Sequence, residues 1–251
     1  MNHSAYRFTL PDIDAGSPLY KSLAVAVFCS LTTLAPVVHA DVIDFEGLGN
    51  DLIFSGSSIE QRGLRLSGSD FNGASGALVG AVIDGSDSGF CSALSCPAGN
   101  AGNYYGSLND GILGIHGLQG GSTFKVQNFD ASFIGSGGSL PVLAGRLVVQ
   151  GFYGNGLSLS QTFDLAGPGK NGLSFKQYSF NSAMSALSFS GMQMFTLSCD
   201  SSGACNGLGN NQGQFALDNL NFSISAVPEA STYTMLLLGL AGIAAVARRR
   251  A

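Results

Sequence analysis

Apolar and polar side chains alternate in short runs through most of the chain. In LSLSQTFDL, Leu157, Leu159, Phe163 and Leu165 share one side, with Ser158, Ser160 and Thr162 on the other. A period of two puts one side of a strand against a core and the other in water. Similar runs predict strands in VIDFEGL (42–48), GLRLSG (63–68), ALVGAVID (77–84), ILGIHGL (112–118) and STFKVQNFDASFI (122–134). Others are RLVVQGFY (146–153), LSFKQYSF (173–180), ALSFSGMQMFTLS (186–198) and QFALDNLNFSIS (214–225). Gly- and Ser-rich turns separate them, and none of these segments holds a 3.6-residue period. The pattern predicts an all-β fold, a jelly-roll-like β-sandwich. Segments 99–110 and 200–213 read as surface loops.

Two of these strands change phase. Phe215 and Leu217 are odd-numbered, whereas Leu220, Phe222 and Ile224 are even, so the switch falls at Asp218-Asn219. A similar shift between Val126 and Phe129 brackets Gln127-Asn128. A one-residue slip would turn a whole strand over, and a bulge absorbs it. Either the bulges merely bend the strands, or Asp218 is aimed at something.

The ends follow a different pattern. Lys21 precedes SLAVAVFCSLTTLAPVVHA, an apolar run closed by small residues, which predicts a signal helix cut between Ala40 and Asp41. That implies Sec-type export. The residues before Lys21 are long for an n-region and include Asp12 and Asp14; a misplaced start and an extended signal both account for this. At the other end, the apolar run from Tyr233 to Ala247 is followed by Arg248, Arg249 and Arg250. This short transmembrane helix would cover only about 22 Å and span only with thinning or snorkelling. The division is therefore a signal at 1–40, a β-sandwich domain at 41–226 and a C-terminal segment at 227–251.

Charge narrows the partners. Residues 41–231 carry 14 Asp and Glu against 6 Lys and Arg, a net −8. An acidic domain argues against nucleic acid and anionic membrane surfaces and is compatible with divalent cations. Outside the signal, Cys91, Cys96, Cys199 and Cys205 allow three connectivities. Local pairs, Cys91 with Cys96 and Cys199 with Cys205, are expected in an oxidising compartment; zinc is the rival.

Catalytic signatures are missing from the pattern. His116 stands among apolar neighbours and glycines, and neither a G-x-S-x-G elbow nor H-E-x-x-H occurs. The expectation is a non-enzyme, with a glycan-active jelly-roll enzyme or a sugar-binding module as alternatives. Structural Ca2+ is the candidate cofactor: Asp44 and Glu46 lie two apart in the first strand, and Asp218 and Asn219 sit at the later phase break. VIDFEGL and FALDNLNF resemble the opening and late strands of extracellular jelly rolls, MAM-like domains among them. Asp84 and Asp87 are other oxygen donors with turn character. Tyr104 and Tyr105, with Tyr153, are the candidates for stacking on carbohydrate.

Val227-Pro228-Glu229, the short apolar segment and the cluster Arg248, Arg249 and Arg250 together resemble the PEP-CTERM sorting signal. Ala230 departs from it where the family prefers a second proline. QFALD, Gln214 to Asp218, is similar to the QFxxD subgroup. The resemblance implies an exosortase as processing partner, a transient stay in the inner membrane, and delivery to the cell surface or extracellular matrix. There, a structural or adhesive role in exopolysaccharide or biofilm is implied. Three arginines would hold the C-terminus inside; an ordinary single-pass tail anchor is the alternative.

Overall fold

The computed structural model describes residues 39–87, 89–225 and 230–249. Two compact units divide the chain: Val38–Val227, and a second one from the two terminal segments. In the first unit the strands are β1 (His39–Ile43), β2 (Leu52–Phe54), β3 (Ser58–Gln61), β4 (Leu64–Ser69), β5 (Leu78–Asp84), β6 (Asn103–Ser107) and β7 (Ile112–Gly117). They continue as β8 (Thr123–Phe133), β9 (Leu143–Tyr153), β10 (Leu157–Ala166), β11 (Lys176–Ser179), β12 (Gly191–Cys199), β13 (Cys205–Asn206) and β14 (Phe215–Ser225). A one-turn helix, α1 (Ser182–Ala186), starts on Asn181, whose side chain accepts from the Met184 amide.

The strands form two antiparallel sheets, a jelly-roll-like β-sandwich. Sheet 1 runs β11-β8-β14-β6-β5-β2, with β1 also on β14; sheet 2 runs β10-β9-β12-β7-β4-β3, with β13 on β12. Between them lies a core rich in Phe. Phe129 packs edge-on against Phe163 at 5.0 Å and close to Phe180 at 5.2 Å, and Phe124, Phe189, Phe215 and Phe222 are fully buried. Each such ring contributes about 1.5–3 kcal/mol of burial. Gly151 lets Phe189 lie flat on β9, because a Cβ there would collide with the ring.

Over β5, β6 and the adjoining end of β14, sheet 1 is covered on its other face as well. Ala81, Ile83, Tyr104, Leu108, Ile134 and Ala216 form a second buried cluster, roofed by Phe90, Leu94 and Phe175. The roof includes the loop closed by the Cys91–Cys96 disulfide. Strands covered on both faces lose the alternation, which is why β5 and β6 bury consecutive residues. Segment 99–110, expected as a loop, therefore contains the buried strand β6.

The two phase breaks meet in one strand pair. Asp218 stands opposite Asp130 and Asn221 opposite Asn128, leaving one extra residue on β14. Phe222 then faces Val126, so the next extra residue, Gln127, is on β8. Each bulge corrects the other, and Phe124, Val126, Leu220 and Phe222 all stay in the core.

Some boundaries differ from the sequence pattern. The first strand is 39–43 rather than 42–48, since Phe45 takes φ 57° and turns the chain. β12 begins only at Gly191, after α1, and β11 is four residues long. Short β2, β3 and β13 carry too few residues to show a period. The expected signal helix lies outside the described residues. In the other unit, Ala230–Arg249 forms a 20-residue helix, α2. Among the described residues no helix is long and apolar enough to cross a membrane.

Candidate functional site

The first candidate is the acidic cluster at the β14 bulge. Asn219 takes φ 47°, which brings its side chain back beside Asp218 and across to Asp130. Its Nδ2 donates to Asp130 Oδ2 at 2.9 Å and to Asp218 Oδ2 at 3.4 Å. Asn100 Nδ2 donates to Asp218 Oδ2 at 2.8 Å, and the Asn219 amide donates to Asp218 Oδ1 at 2.7 Å. Burial, then the charges of Asp130 and Asp44, push the Asp218 carboxyl up to about 6, against the pull of those donors.

The other expected ligands are distributed around it. Asp44 follows β1 and accepts from the Glu46 amide at 3.2 Å and from Gln61 Nε2 at 3.3 Å. Glu46 points elsewhere: its Oε1 accepts from the Asn103 amide at 3.1 Å and lies against the bare Cα of Gly102. The two residues share a turn, not a strand face. Among the described residues no group of three His, Cys, Asp or Glu stands ready to hold a metal ion. Amide donors occupy the space between Asp218 and Asp130, where a cation would do the same bridging. Asp84, the alternative donor, is engaged with its own turn, accepting from the Ser86 amide and hydroxyl; these hold its carboxyl below the usual range.

Tyr104 and Tyr105, expected to meet carbohydrate, are both fully buried. Burial raises the Tyr104 hydroxyl to about 12 and the Tyr105 hydroxyl further. Neither ring can stack on a sugar. Tyr104 packs edge-on to Phe175 at 5.3 Å, and Tyr105 packs on Phe45 at 6.0 Å.

The outer face of sheet 2 has the opposite character. Leu147, Val149, Met192 and Met194 point into the core, so alternation turns Val148, Gln150, Phe152, Gln193, Phe195 and Leu197 outward, each half-buried. Register sets them in rows. Ser160, Gln150, Gln193, Gly114 and Ser67 form one; Ser158, Phe152, Gly191, His116 and Arg65 form the next. Glycines make the middle of the sheet low. A Cβ on Gly191 would stand 2.7 Å from His116 Cε1, so the exposed imidazole lies across it. The two arginines are already neutralised, Arg65 by Glu60 and Arg146 by Asp164, each at 2.9 Å. The sequence does show these residues, as the polar positions of alternating strands. That they share one uncovered face requires the register.

Two further features escaped sequence reasoning. A cleft of about 910 Å³ runs between segments 136–144 and 198–203, lined by Leu140, Pro141 and Val142 on one side and by Asp200, Ser201 and Ser202 beside the Cys199–Cys205 disulfide on the other. Behind it, the buried Asp110 carboxylate accepts the amides of Gly209, Asn211 and Gly213 at 2.6, 2.7 and 2.6 Å. The 200–213 excursion is thus pinned to the loop after β6. Only the Asn109-Asp110 pair, a turn signature, hinted at this.

The expected signal cut falls inside the first strand, and the expected sorting motif follows the last. Ala40 and Asp41 lie within β1, opposite Ser223 and Phe222 of β14, and Asp41 is 3.8 Å from Arg62. Val227, Pro228, Glu229 and Arg250 lie outside the described residues, whereas Arg248 and Arg249 close α2.

No curated protein matches the chain. Among solved structures, it is similar to TmCBM61 in complex with beta-1,4-galactotriose at 10% identity and a TM-score of 0.30, covering 66% of this chain and 89% of that one. It is also similar to a Family 16 Carbohydrate Binding Module-2 at 10% identity and a TM-score of 0.22, covering 59% and 83%. Likenesses of that size say nothing about what this chain binds. The C-terminal segment is different: residues 226–251 are a PEP-CTERM protein-sorting motif.

Proposed function

We propose that this is an exported protein whose C-terminal segment is read and removed by an exosortase, leaving the β domain at the cell surface or in the extracellular matrix. Its role there is adhesive or structural, on exopolysaccharide. The sorting motif supports the first half: it begins at the residue after β14 ends, so the folded domain passes directly into the address segment. In this reading Pro228 keeps its predecessor extended for the processing enzyme. The apolar segment, too short to span without local thinning of the bilayer, and its arginines hold the intermediate at the inner membrane.

One observation carries the adhesive half. Over β5 and β6 sheet 1 is roofed on its outer face, whereas among the described residues nothing roofs sheet 2, which presents Phe152 and Phe195 beside Gln150, Gln193 and His116. An aromatic ring offers an apolar platform to the C–H face of a sugar, and carboxamides can donate to and accept from its hydroxyls. The ion pairs at its margins leave the face close to neutral, and a domain of net −7 over residues 41–226 repels acidic polymers, so the fitting partner is an uncharged polysaccharide. Retention of the exported protein on immobilised neutral polysaccharides tests this. The double variant Gln193→Ala, Phe195→Ala should lose at least tenfold in affinity with an unchanged melting temperature. Equal retention by wild type and variant overturns the assignment of the face, and no retention on any polysaccharide overturns the adhesive role.

Calcium belongs to the same proposal as a structural ion at the β14 bulge. Of the expected ligands, Asp218 and Asp44 would hold it once the Asn219 carboxamide gives way between Asp218 and Asp130; Glu46 is held aside by Asn103. It would supply charge compensation for carboxylates that now repel one another.

A further inference from the structure

The edges of the two sheets are unequal. β2 has three residues, β3 four with Glu60 among them, β11 four beginning at Lys176, and β1 five including Asp41. Short length and charge are how proteins prevent a strand edge from recruiting another chain. β10 has neither protection over most of its length. It is ten residues long and carries no charge before Asp164. Leu157, at its start, is 60% exposed.

Which backbone groups of β10 face outward follows from one hydrogen bond. Tyr178 Oη donates to the Asp164 carbonyl at 2.8 Å, and Asp164 already pairs with Arg146 of β9 on its other side. The Asp164 carbonyl therefore points away from β9. In an antiparallel ladder the outward groups recur every second residue, so Ser158, Ser160 and Thr162 also direct their N–H and C=O outward. The Phe152 carbonyl, opposite Ser158, agrees: it accepts the Ser190 amide on the far side of β9. Tyr178 closes the edge at Asp164, and the Gly154–Gly156 turn closes it at Leu157. Between them, Gln161 is tied to the segment joining β11 and α1, its Nε2 donating to the Ser179 carbonyl at 3.4 Å and its Oε1 accepting the Asn181 amide at 3.0 Å. Ser158, Ser160 and Thr162, which alternate with it, stay exposed and form a window, and their outward backbone groups have no partner among the described residues.

We infer that two copies of this chain pair through β10, antiparallel about a twofold axis at Ser160. Ser160 then faces its own copy, and Ser158 faces Thr162 on either side. Three hydrogen-bonded pairs exchange about six backbone bonds, and the side chains that meet on the outer face are hydroxyls, which pair well across strands. The occupant is a second copy because the window is complementary to itself: it is uncharged, and the twofold axis sets each exposed hydroxyl residue against another. A contact of one patch with itself closes as a dimer. The dimer would join two copies of sheet 2 into one continuous sheet. The inference does not depend on what the outer face binds.

Cysteine trapping tests it on the purified exported protein. In a hydrogen-bonded antiparallel pair the Cα atoms are about 5.5 Å apart, inside disulfide range. Ser160→Cys should give a dimer on a non-reducing gel, whereas Gln193→Cys, on the same face in mid-sheet, should not. Wild type should sediment increasingly as a dimer as concentration rises. Ser160→Pro, which removes one outward N–H, should stay monomeric, as should Thr162→Lys, which places charge in the window without touching the backbone. The inference is overturned if Ser160→Cys cross-links no more than Gln193→Cys. It is equally overturned if wild type is monomeric at every concentration, or if Thr162→Lys dimerises as wild type does.

Discussion

Asp110→Ala gives the most direct reading of how the long loop is held. The carboxylate is 2% exposed and accepts three backbone amides, from Gly209, Asn211 and Gly213. Gly209 and Asn211 are exposed and can turn to water after truncation, whereas Gly213 is buried and cannot. An orphaned buried N–H costs about 1–3 kcal/mol, and each lost bond to a charged acceptor somewhat less when water replaces it. Asp110 also sits at φ 58°, a conformation Asp tolerates better than Ala. Together these predict a loss of about 4 kcal/mol. For a domain of this size that lowers the melting temperature by about 8–16 °C. Asp110→Asn keeps one acceptor oxygen and the left-handed tolerance, so about half the loss should return. Thermal melts and hydrogen exchange across 207–213 are the assays, with the Gly213 amide changing from slow to fast. If Asp110→Ala melts within about 2 °C of wild type with Gly213 still protected, the carboxylate is not the pin described.

Asp218 predicts a pH effect in chelated protein. Its folded-state value is raised to about 6, so the folded form binds the proton more tightly than the unfolded one. The stabilisation is full below about 4 and is lost as pH rises through 6, an effect of about 1–2 kcal/mol after screening. Asp218→Asn should flatten that slope in EDTA; an unchanged slope places the titration elsewhere. Calcium should raise the melting temperature of wild type, increasingly above pH 6, and leave Asp218→Asn unmoved; equal melts with calcium and chelator remove the ion from the account. Gly151→Ala should cost about 1–3 kcal/mol by urea denaturation, because its methyl would enter the Phe189 ring; a gain in stability would show that the ring moves aside freely.

Period-two alternation located the strands that face water on one side: β4, β7, β8, β9, β10 and β14 fall close to their expected bounds. It failed at β6, where Tyr104 faces the second cluster and Tyr105 the main core, so consecutive residues are buried and no period survives. The same strand misled the choice of sugar-contacting residues, since exposed and buried tyrosines look alike in sequence. Both bulges were readable as phase breaks, because a shifted register must show in which residues are apolar. Their pairing across β8 and β14 was not readable, and neither was the convergence of Asn100 on Asp218, 118 residues away in the chain. The uncovered face of sheet 2 depends on strand order, which no local pattern encodes.

The central claim is that the segment after Ser225 is an address, removed once the β domain has been exported. Intact-mass and terminal-peptide measurement on protein recovered from the cell surface and medium tests it most directly, with an exosortase-deficient strain alongside. The account predicts an N-terminus at Asp41 and a C-terminus upstream of Ala230 in surface material, and full-length tails retained in the membrane when the enzyme is missing. Surface protein that still ends in Arg248–Arg250, with or without the enzyme, would contradict it.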